Sequence, residues 1–386
     1  MSDIASIPVD GPASAGLAAE LAQEAGALSG LSTPALVVDG ATLEANIRRM
    51  AGFGADAGVS LRPHAKTHKC AQIARRQLAA GAVGIATATV AEAEALAAEG
   101  IGDLLVTTPF MGTAVFARAV ALARRGVRLS LTVDHGGQLE ALTGALSPSD
   151  PVIDVLVDCD VGQRRTGVTS VGAAVGLART IAAERRLSFA GLQGFAGQAQ
   201  HLADPDERSA EATDAGRILK AISDALAGEG LAPGVITGSG TGTFAQDAAG
   251  PYSELQVGSY VFMDADYAQI VDTTGAPPPF APSLFVLSTV VSVNRPGEVT
   301  IDAGTKSLAF NGPPPSVIVG VPAGSAYRFA GDEHGILNVP DGAPPPELGA
   351  RVLVGATHCD PTVNLFSQLH VLSESGLEAW PVLARH

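Results

Sequence analysis

Between residues 34 and 265 the chain alternates short β-rich runs with Ala/Leu-rich stretches whose apolar positions recur every three to four residues. The strand-like runs fall at 34–39, 59–62, 84–88, 103–107, 129–134, 153–158, 189–193, 235–237 and 260–263. Stretches such as Ala91-Glu92-Ala93-Glu94-Ala95-Leu96 and Val115-Phe116-Ala117-Arg118-Ala119-Val120 carry the helical period between them. Most of these end at a glycine, as at Gly58, Gly81, Gly100, Gly126 and Gly230, the residue expected just past a helix C-terminus. About eight β-then-α units at regular spacing predict a parallel sheet, and the count favours a closed (β/α)8 TIM-like barrel over a doubly wound sheet.

The pattern breaks at Gly275-Ala276-Pro277-Pro278-Pro279-Phe280-Ala281-Pro282, which continues neither a helix nor a central strand. Beyond it, the runs 284–291, 317–321 and 351–355 are separated by Gly/Pro turns with no helical period, which predicts an antiparallel β-domain. The expected organisation is a weakly patterned N-terminal segment over 1–32 assigned to the β-domain, a barrel over 33–274, and the β-domain over 275–386.

Composition narrows the function classes. Of the 386 residues, 46% are hydrophobic and only 4% aromatic, so the core is built from Ala, Val and Leu. The balance of 24 basic against 39 acidic residues gives a net charge of -15, which argues against nucleic acid or an anionic membrane surface as partner. Cys70, Cys159 and Cys359 are scattered without CxxC spacing, as in a reducing cytoplasm. Neither a signal peptide nor an apolar run of about 18 residues is present.

Four clusters carry chemistry. The first is Arg62-Pro63-His64-Ala65-Lys66-Thr67-His68-Lys69, which follows a predicted strand and precedes a helical pattern. A lysine at a strand's C-terminal end points into the mouth of an α/β fold, where cofactor chemistry is built. Lysine suits Schiff-base formation because burial and cationic neighbours free its amine. In the second, Thr357-His358-Cys359-Asp360-Pro361-Thr362-Val363-Asn364, an extended backbone would put His358 and Asp360 on one face, able to share a divalent cation. The third, Thr237-Gly238-Ser239-Gly240-Thr241-Gly242-Thr243, follows a late strand, where glycines and hydroxyls suit a phosphate. The fourth, Asp158-Cys159-Asp160-Val161-Gly162-Gln163-Arg164-Arg165-Thr166-Gly167, offers Arg165 at the strand's end to an anionic ring oxygen.

In their joint order these motifs make the chain resemble the D-threonine aldolase / D-serine dehydratase family of pyridoxal-phosphate enzymes. Gly191-Leu192-Gln193, Gln200-His201, Gln256-Val257-Gly258-Ser259-Tyr260 and Asp332-Glu333-His334-Gly335 add to the match, which runs from about Thr33 to Phe366. The resemblance implies an alanine-racemase-type barrel with a C-terminal β-domain, usually a homodimer. It implies that Lys66 carries pyridoxal 5'-phosphate as a Schiff base and that His64, Arg165, Gln193, Phe195, Ser239, Gly240, Thr241 and Tyr260 surround the cofactor. His358 and Asp360 would ligate a divalent metal near the substrate's β-hydroxyl. Phe195 stands where the family pattern often has tyrosine, so a ring is kept and a hydroxyl lost.

Within that family the choice lies between Cα–Cβ cleavage and β-elimination of water. Dehydratase relatives tend to carry His-x-Cys, a softer site suited to zinc; Asp360 is a hard oxygen ligand that favours Mn²⁺ or Mg²⁺ and, with them, the aldolases. The expected enzyme is therefore an aldehyde-lyase acting on a small D-amino acid with a β-hydroxyl, such as D-threonine, with a metal-bound hydroxide or His201 as base. The alternatives are a D-serine or D-threo-3-hydroxyaspartate dehydratase and a β-hydroxyaspartate aldolase. A racemase would need a partner tyrosine, and Tyr327 alone lies beyond the junction, in a context that does not match. A non-catalytic pyridoxal-phosphate carrier is a bare barrel and leaves the β-domain without a task.

Overall fold

In the computed structural model, residues 17, 19–21, 23, 26–315 and 318–385 are described. The remainder of the 1–32 segment assigned above to the β-domain lies outside the described residues. The chain divides into two compact units.

One unit comprises Met50–Gly258 with Ile270–Ala276. In chain order, β1 (Ala35–Asp39) and α1 (Gly40–Ala57) lead to the strands and helices of this unit. These are β2 (Ser60–Leu61), α2 (Ala71–Ala79), β3 (Ile85–Thr87), α3 (Val90–Ala98), β4 (Asp103–Val106) and α4 (Thr113–Arg124). There follow β5 (Arg128–Val133), α5 (Gly136–Ala145), β6 (Ile153–Asp158), α6 (Val171–Ala183) and β7 (Leu187–Gly194). Last come α7 (Pro205–Gly228), β8 (Val235–Gly238), α8 (Phe244–Ala248) and β9 (Glu254–Leu255).

The sheet of this unit has eight parallel strands in the order β2-β9-β8-β7-β6-β5-β4-β3. Its two ends meet through a parallel bridge between His64 and Ala86. There the Ala86 N–H donates to the Pro63 carbonyl at 2.9 Å and the Val83 N–H to the Leu61 carbonyl at 2.9 Å, so the sheet closes into the TIM-like barrel. Helix starts are fixed by side chains, as where Asp204 accepts from the N–H groups of Asp206 and Glu207 at 2.9 and 3.0 Å. Inside the barrel, Arg62 donates to Glu254 at 3.0 Å and Asp103 at 2.6 Å, pairing charges that burial would otherwise penalise.

The other unit comprises the chain up to Arg49, Ser259–Gln269 and Pro277–Arg385. Its strands are β1 with β10 (Leu284–Arg295), β11 (Glu298–Ile301), β12 (Ile318–Val319), β13 (Ala326–Phe329), β14 (Gly335–Asn338), β15 (Arg351–Gly355), β16 (Gln368–Ser373) and β17 (Gly376–Pro381). They form one nine-stranded sheet, ordered β13-β14-β11-β10-β1-β16-β17, with β15 pairing β10 and β12. Pairing is antiparallel except between β1 and β16. Leu17 and Leu28 pack with Ala35, Val37, Phe285, Leu287, Val319 and Leu353 in the core of this sheet.

Two expectations are corrected here. The run 34–39 is not a barrel strand: β1 pairs Ala35–Val38 with Leu284–Leu287 of β10, so the barrel does not begin at residue 33. All five residues of β1 are buried, and a run without polar alternation over Ala35–Val38 does not reveal from sequence which sheet it joins. The run 260–263 is not a strand either. Ser259–Val261 forms one tight helical turn, and the barrel's last strand is β9, five residues earlier.

The unit boundary falls inside α1, between Arg49 and Met50. Asn46, on the N-terminal half of α1, explains why that half belongs with the sheet. Its amide donates to the Val261 and Ala281 carbonyls at 3.2 and 2.8 Å and accepts the Ala281 N–H at 3.1 Å. The side chain is 1% exposed, so truncation strands buried backbone groups without replacing them by water. Asn46→Ala is expected to destabilise the fold by about 2–4 kcal/mol, read as a lowered denaturation midpoint, whereas a change below about 0.5 kcal/mol would contradict the clasp.

Candidate active site

The C-terminal ends of the barrel strands gather most of the residues singled out from sequence. Lys66 lies past β2 on the tight turn Ala65–Thr67, partly buried between buried neighbours. Its backbone N–H donates to His64 Nδ1 at 3.3 Å, and His64 Nε2 lies 3.0 Å from Thr107 Oγ1. Thr107 spends its own hydroxyl proton on the Thr87 carbonyl at 3.1 Å. These bonds fix the neutral tautomer of His64 with its proton on Nε2. The imidazole thereby pins the main chain of the lysine turn.

Gln193, at the end of β7, extends this network. Its amide donates to the Thr107 carbonyl at 2.7 Å and to Asp158 Oδ1 at 2.9 Å, and its carbonyl accepts from Gln256 at 3.2 Å. Asp158 Oδ2 accepts from Thr166 at 2.8 Å. Burial pushes the Asp158 carboxyl up to about 6, with Asp134 acting in the same direction and Gln193, Thr166 and Arg165 opposing. Arg165 stands over the Phe195 ring, its Cζ 5.8 Å from the centroid, so the residue that departs from the family pattern still offers a π face to a cation.

The loop after β8 is built around Gln200. Its Oε1 accepts the Gly242 N–H at 3.0 Å and its amide donates to Thr243 Oγ1 at 2.8 Å. A Cβ on Gly242 would overlap the Gln200 carbonyl, so only glycine lets the two segments approach so closely. Ser239 adopts φ +77, a left-handed conformation that a non-glycine residue holds only when its surroundings enforce it. Ser239 and Thr241 are each 2% exposed, and a Cβ on Gly240 would collide with the Gln200 side chain and press on the Phe195 ring, so this glycine too is required by close approach. Strained backbone, buried hydroxyls and glycines that leave their N–H groups unshielded by side chains fit the phosphate of a cofactor. Below the loop Thr243 donates to Asp247 at 2.5 Å, and burial pushes the Asp247 carboxyl up to about 6 against the hydrogen bonds of Thr243 and Ser239. His201 is exposed in the turn that follows Gly197–Ala199.

Tyr260, His358 and Asp360 belong to the β-sheet unit. Tyr260 is buried, its ring 5.5 Å from Phe280. The expectation that His358 and Asp360 share one face of an extended segment is corrected. His358 is extended at φ -141, ψ 122, but it caps a short helix, α9 (Cys359–Asn364), whose second residue is Asp360. Pro361, at the third position, suits a first turn because the missing N–H has no partner there in any helix. Helix start and cap still leave an imidazole and a carboxylate two residues apart. Among the described residues no three His, Cys, Asp or Glu side chains assemble as a metal cage, so this pair would hold an ion that takes its other ligands from water or substrate.

Sequence reasoning missed three residues around this pair and the lysine. Asn311 lies 3.0 Å from His358 Nδ1. Asp264 is 2% exposed and accepts the N–H groups of Tyr267 and Cys359 at 3.0 and 2.9 Å. Thr107 orders His64 across the mouth. None has a local signal, since each acts on a segment distant in sequence.

Fold and site together define an alanine-racemase-type barrel enzyme with an added β-domain. Residues 38–266 match the model of the alanine racemase N-terminal domain, and residues 283–372 match that of a putative serine dehydratase domain. A D-threonine aldolase of Arthrobacter sp. is 41% identical over 366 residues, covering 94% of this chain and 95% of the relative. A 3-hydroxy-D-aspartate aldolase of Paracoccus denitrificans (strain Pd 1222) is 35% identical, covering 92% and 93%. The crystal structure of D-threonine aldolase from Filomicrobium marinum superposes with a TM-score of 0.86 at 38% identity, covering 93% of this chain and 97% of that one. The chain belongs to the D-threonine aldolase / D-serine dehydratase family.

The raised Asp247 carboxyl gives a pH test. Its folded value of about 6 exceeds the ordinary 3.8, so the folded state binds the proton more tightly. The stability this contributes is complete below the ordinary value and is lost as pH rises through about 6. Relative to Asp247→Asn, the cofactor-free wild-type protein is expected to lose about 1–3 kcal/mol between pH 4 and 6.5 in denaturant titrations. A difference that stays flat across this range would show Asp247 to be ionised throughout.

Proposed function

We propose that the protein is an aldehyde-lyase that cleaves a D-β-hydroxy-α-amino acid of the D-threonine type to glycine and an aldehyde, using pyridoxal 5'-phosphate and a divalent metal. The observation that carries this reading is the lysine-bearing turn at the mouth of an alanine-racemase-type barrel, in a chain related over nearly its full length to aldolases of D-hydroxy amino acids. The carboxylate of Asp360, a hard donor, supports Mn²⁺ or Mg²⁺ over Zn²⁺ and cleavage over dehydration.

Lys66 would hold the cofactor through its ε-amine, on a turn whose backbone His64 ties down. The Ser239–Thr241 loop would receive the phosphate, and Arg165, stacked on Phe195, would face the ring oxygen. Tyr260 would add a further contact to the cofactor. When bound, pyridoxal phosphate supplies an electron sink at the α-carbon, and a divalent metal supplies a charge that acidifies the β-hydroxyl. His201, exposed beside the loop segment that carries Gln200, would accept the hydroxyl proton. A scissile bond broken this way needs no acid on the opposite cofactor face, in contrast to racemisation.

Three buried free cysteines suit a reducing cytoplasm, and no helix among the described residues is long and apolar enough to cross a membrane. The family habit supports a homodimer.

Two measurements test the reading. Borohydride reduction of the holoenzyme should fix the cofactor's mass on the peptide bearing Lys66, and Lys66→Ala should lose both the yellow colour and at least about a thousandfold in activity. With D-threonine, wild-type protein should release glycine and acetaldehyde only when metal is present, and chelator should abolish the reaction. Release of a 2-oxo acid and ammonia would instead identify a dehydratase.

A further inference from the structure

The two residues proposed to hold the metal flank Cys359, whose own side chain is buried. The backbone between them is therefore what fixes their separation. Its N–H donates to Asp264 Oδ2 at 2.9 Å. The other oxygen of the same carboxylate accepts the Tyr267 N–H at 3.0 Å, and one residue on, the Ala265 N–H donates to the Ala356 carbonyl at 3.0 Å. One buried carboxylate thus joins the segment 264–267 to the start of α9, about a hundred residues later in the chain. It occupies the place where a helix's first N–H groups need an acceptor, and His358, the capping residue, provides none from its side chain.

We propose that Asp264 is the positioning residue of the metal pair: by accepting the Cys359 N–H it starts α9 at residue 359 and holds the His358 imidazole and Asp360 carboxylate at the spacing that binds the ion. It touches neither metal nor substrate in this role. Without it the helix start is free to shift, and the angle between the two donors goes with it. Asn311 complements Asp264 from the solvent side: turned so that its carbonyl oxygen accepts from Nδ1–H, it would leave Nε2 of His358 to the ion.

The inference rests on the reading that His358 and Asp360 hold a metal, and the test separates the two. Mn²⁺ binding to the cofactor-loaded enzyme is measured by electron paramagnetic resonance for wild type, Asp264→Asn and His358→Ala, with the visible band of bound cofactor as a control for folding. Asp264→Asn keeps one acceptor and the shape of the side chain. It should weaken Mn²⁺ binding roughly 10- to 100-fold with the cofactor band unchanged, the range found when the support of a metal ligand is removed. If His358→Ala binds Mn²⁺ as wild type does, the metal reading itself fails. If His358→Ala loses the ion but Asp264→Asn binds with wild-type affinity, the positioning role alone is overturned. Hydrogen exchange on the wild-type holoenzyme gives an answer even if Asp264→Asn does not fold: Mn²⁺ should slow exchange in peptides covering 264–267 together with those covering 356–361. Protection confined to 356–361 would overturn the role.

Discussion

The mouth of the barrel depends on the side-chain amide of Gln193. It reaches the Thr107 carbonyl past β4, the Asp158 carboxylate at the end of β6 and the Gln256 amide past β9, and it stands itself at the end of β7. A backbone ladder fixes each strand only to its two neighbours; this amide fixes the ends of strands that are not neighbours. Thr107 carries the constraint on to His64, and His64 carries it to the backbone of Lys66. A Schiff-base lysine must present its amine at one place, and its long side chain supplies no rigidity. The rigidity comes from the turn beneath it, which is why buried polar bonding is concentrated there despite the cost of desolvating every member.

The same logic explains the loop past β8. Glycines at 240 and 242 allow the chain to close on Gln200 and Phe195, and the Gln200 amide then holds both Gly242 and Thr243. Ser239 is held at φ +77 by this enclosure. Phosphate recognition needs donors that already point inward before the anion arrives, and a loop tied at both ends meets that need better than a flexible one.

Much of this was legible in the sequence, and what was not has identifiable physical reasons. Seven of the nine runs between 34 and 265 form barrel strands because the barrel repeats a local pattern, apolar run then amphipathic helix then glycine. The run 34–39 misled because a fully buried strand has no alternation to say which sheet takes it; its partners, 284–287 and 370–372, lie hundreds of residues away. The two-residue β9 was too short to register beside the more apolar 260–263. Lys66, Ser239 and His358 stand out in the sequence as candidates because each sits in a local motif. Asp264 and Thr107 do not, because a supporting residue is defined by what it reaches, and FMDADY reads as an ordinary loop until the N–H of Cys359 is seen to end on it.

The two proposed chemical centres are supported by opposite devices. Lys66 and the phosphate loop rest on strand ends, where side chains from several β/α units interlock and no single bond decides the geometry. His358 and Asp360 rest on the first turn of a six-residue helix, far too short to be stable by itself. Such a helix exists only where tertiary contacts define its first residue, and the bond from Cys359 to Asp264 provides that definition. A metal pair spaced by helix geometry rather than by an extended strand also places its two donors at the cap and at the second helical position. Small shifts of the helix start therefore change the site more than equal shifts along a strand would. The affinity of this chain for a divalent ion would then be set by the carboxylate behind the ligands as well as by the ligands themselves.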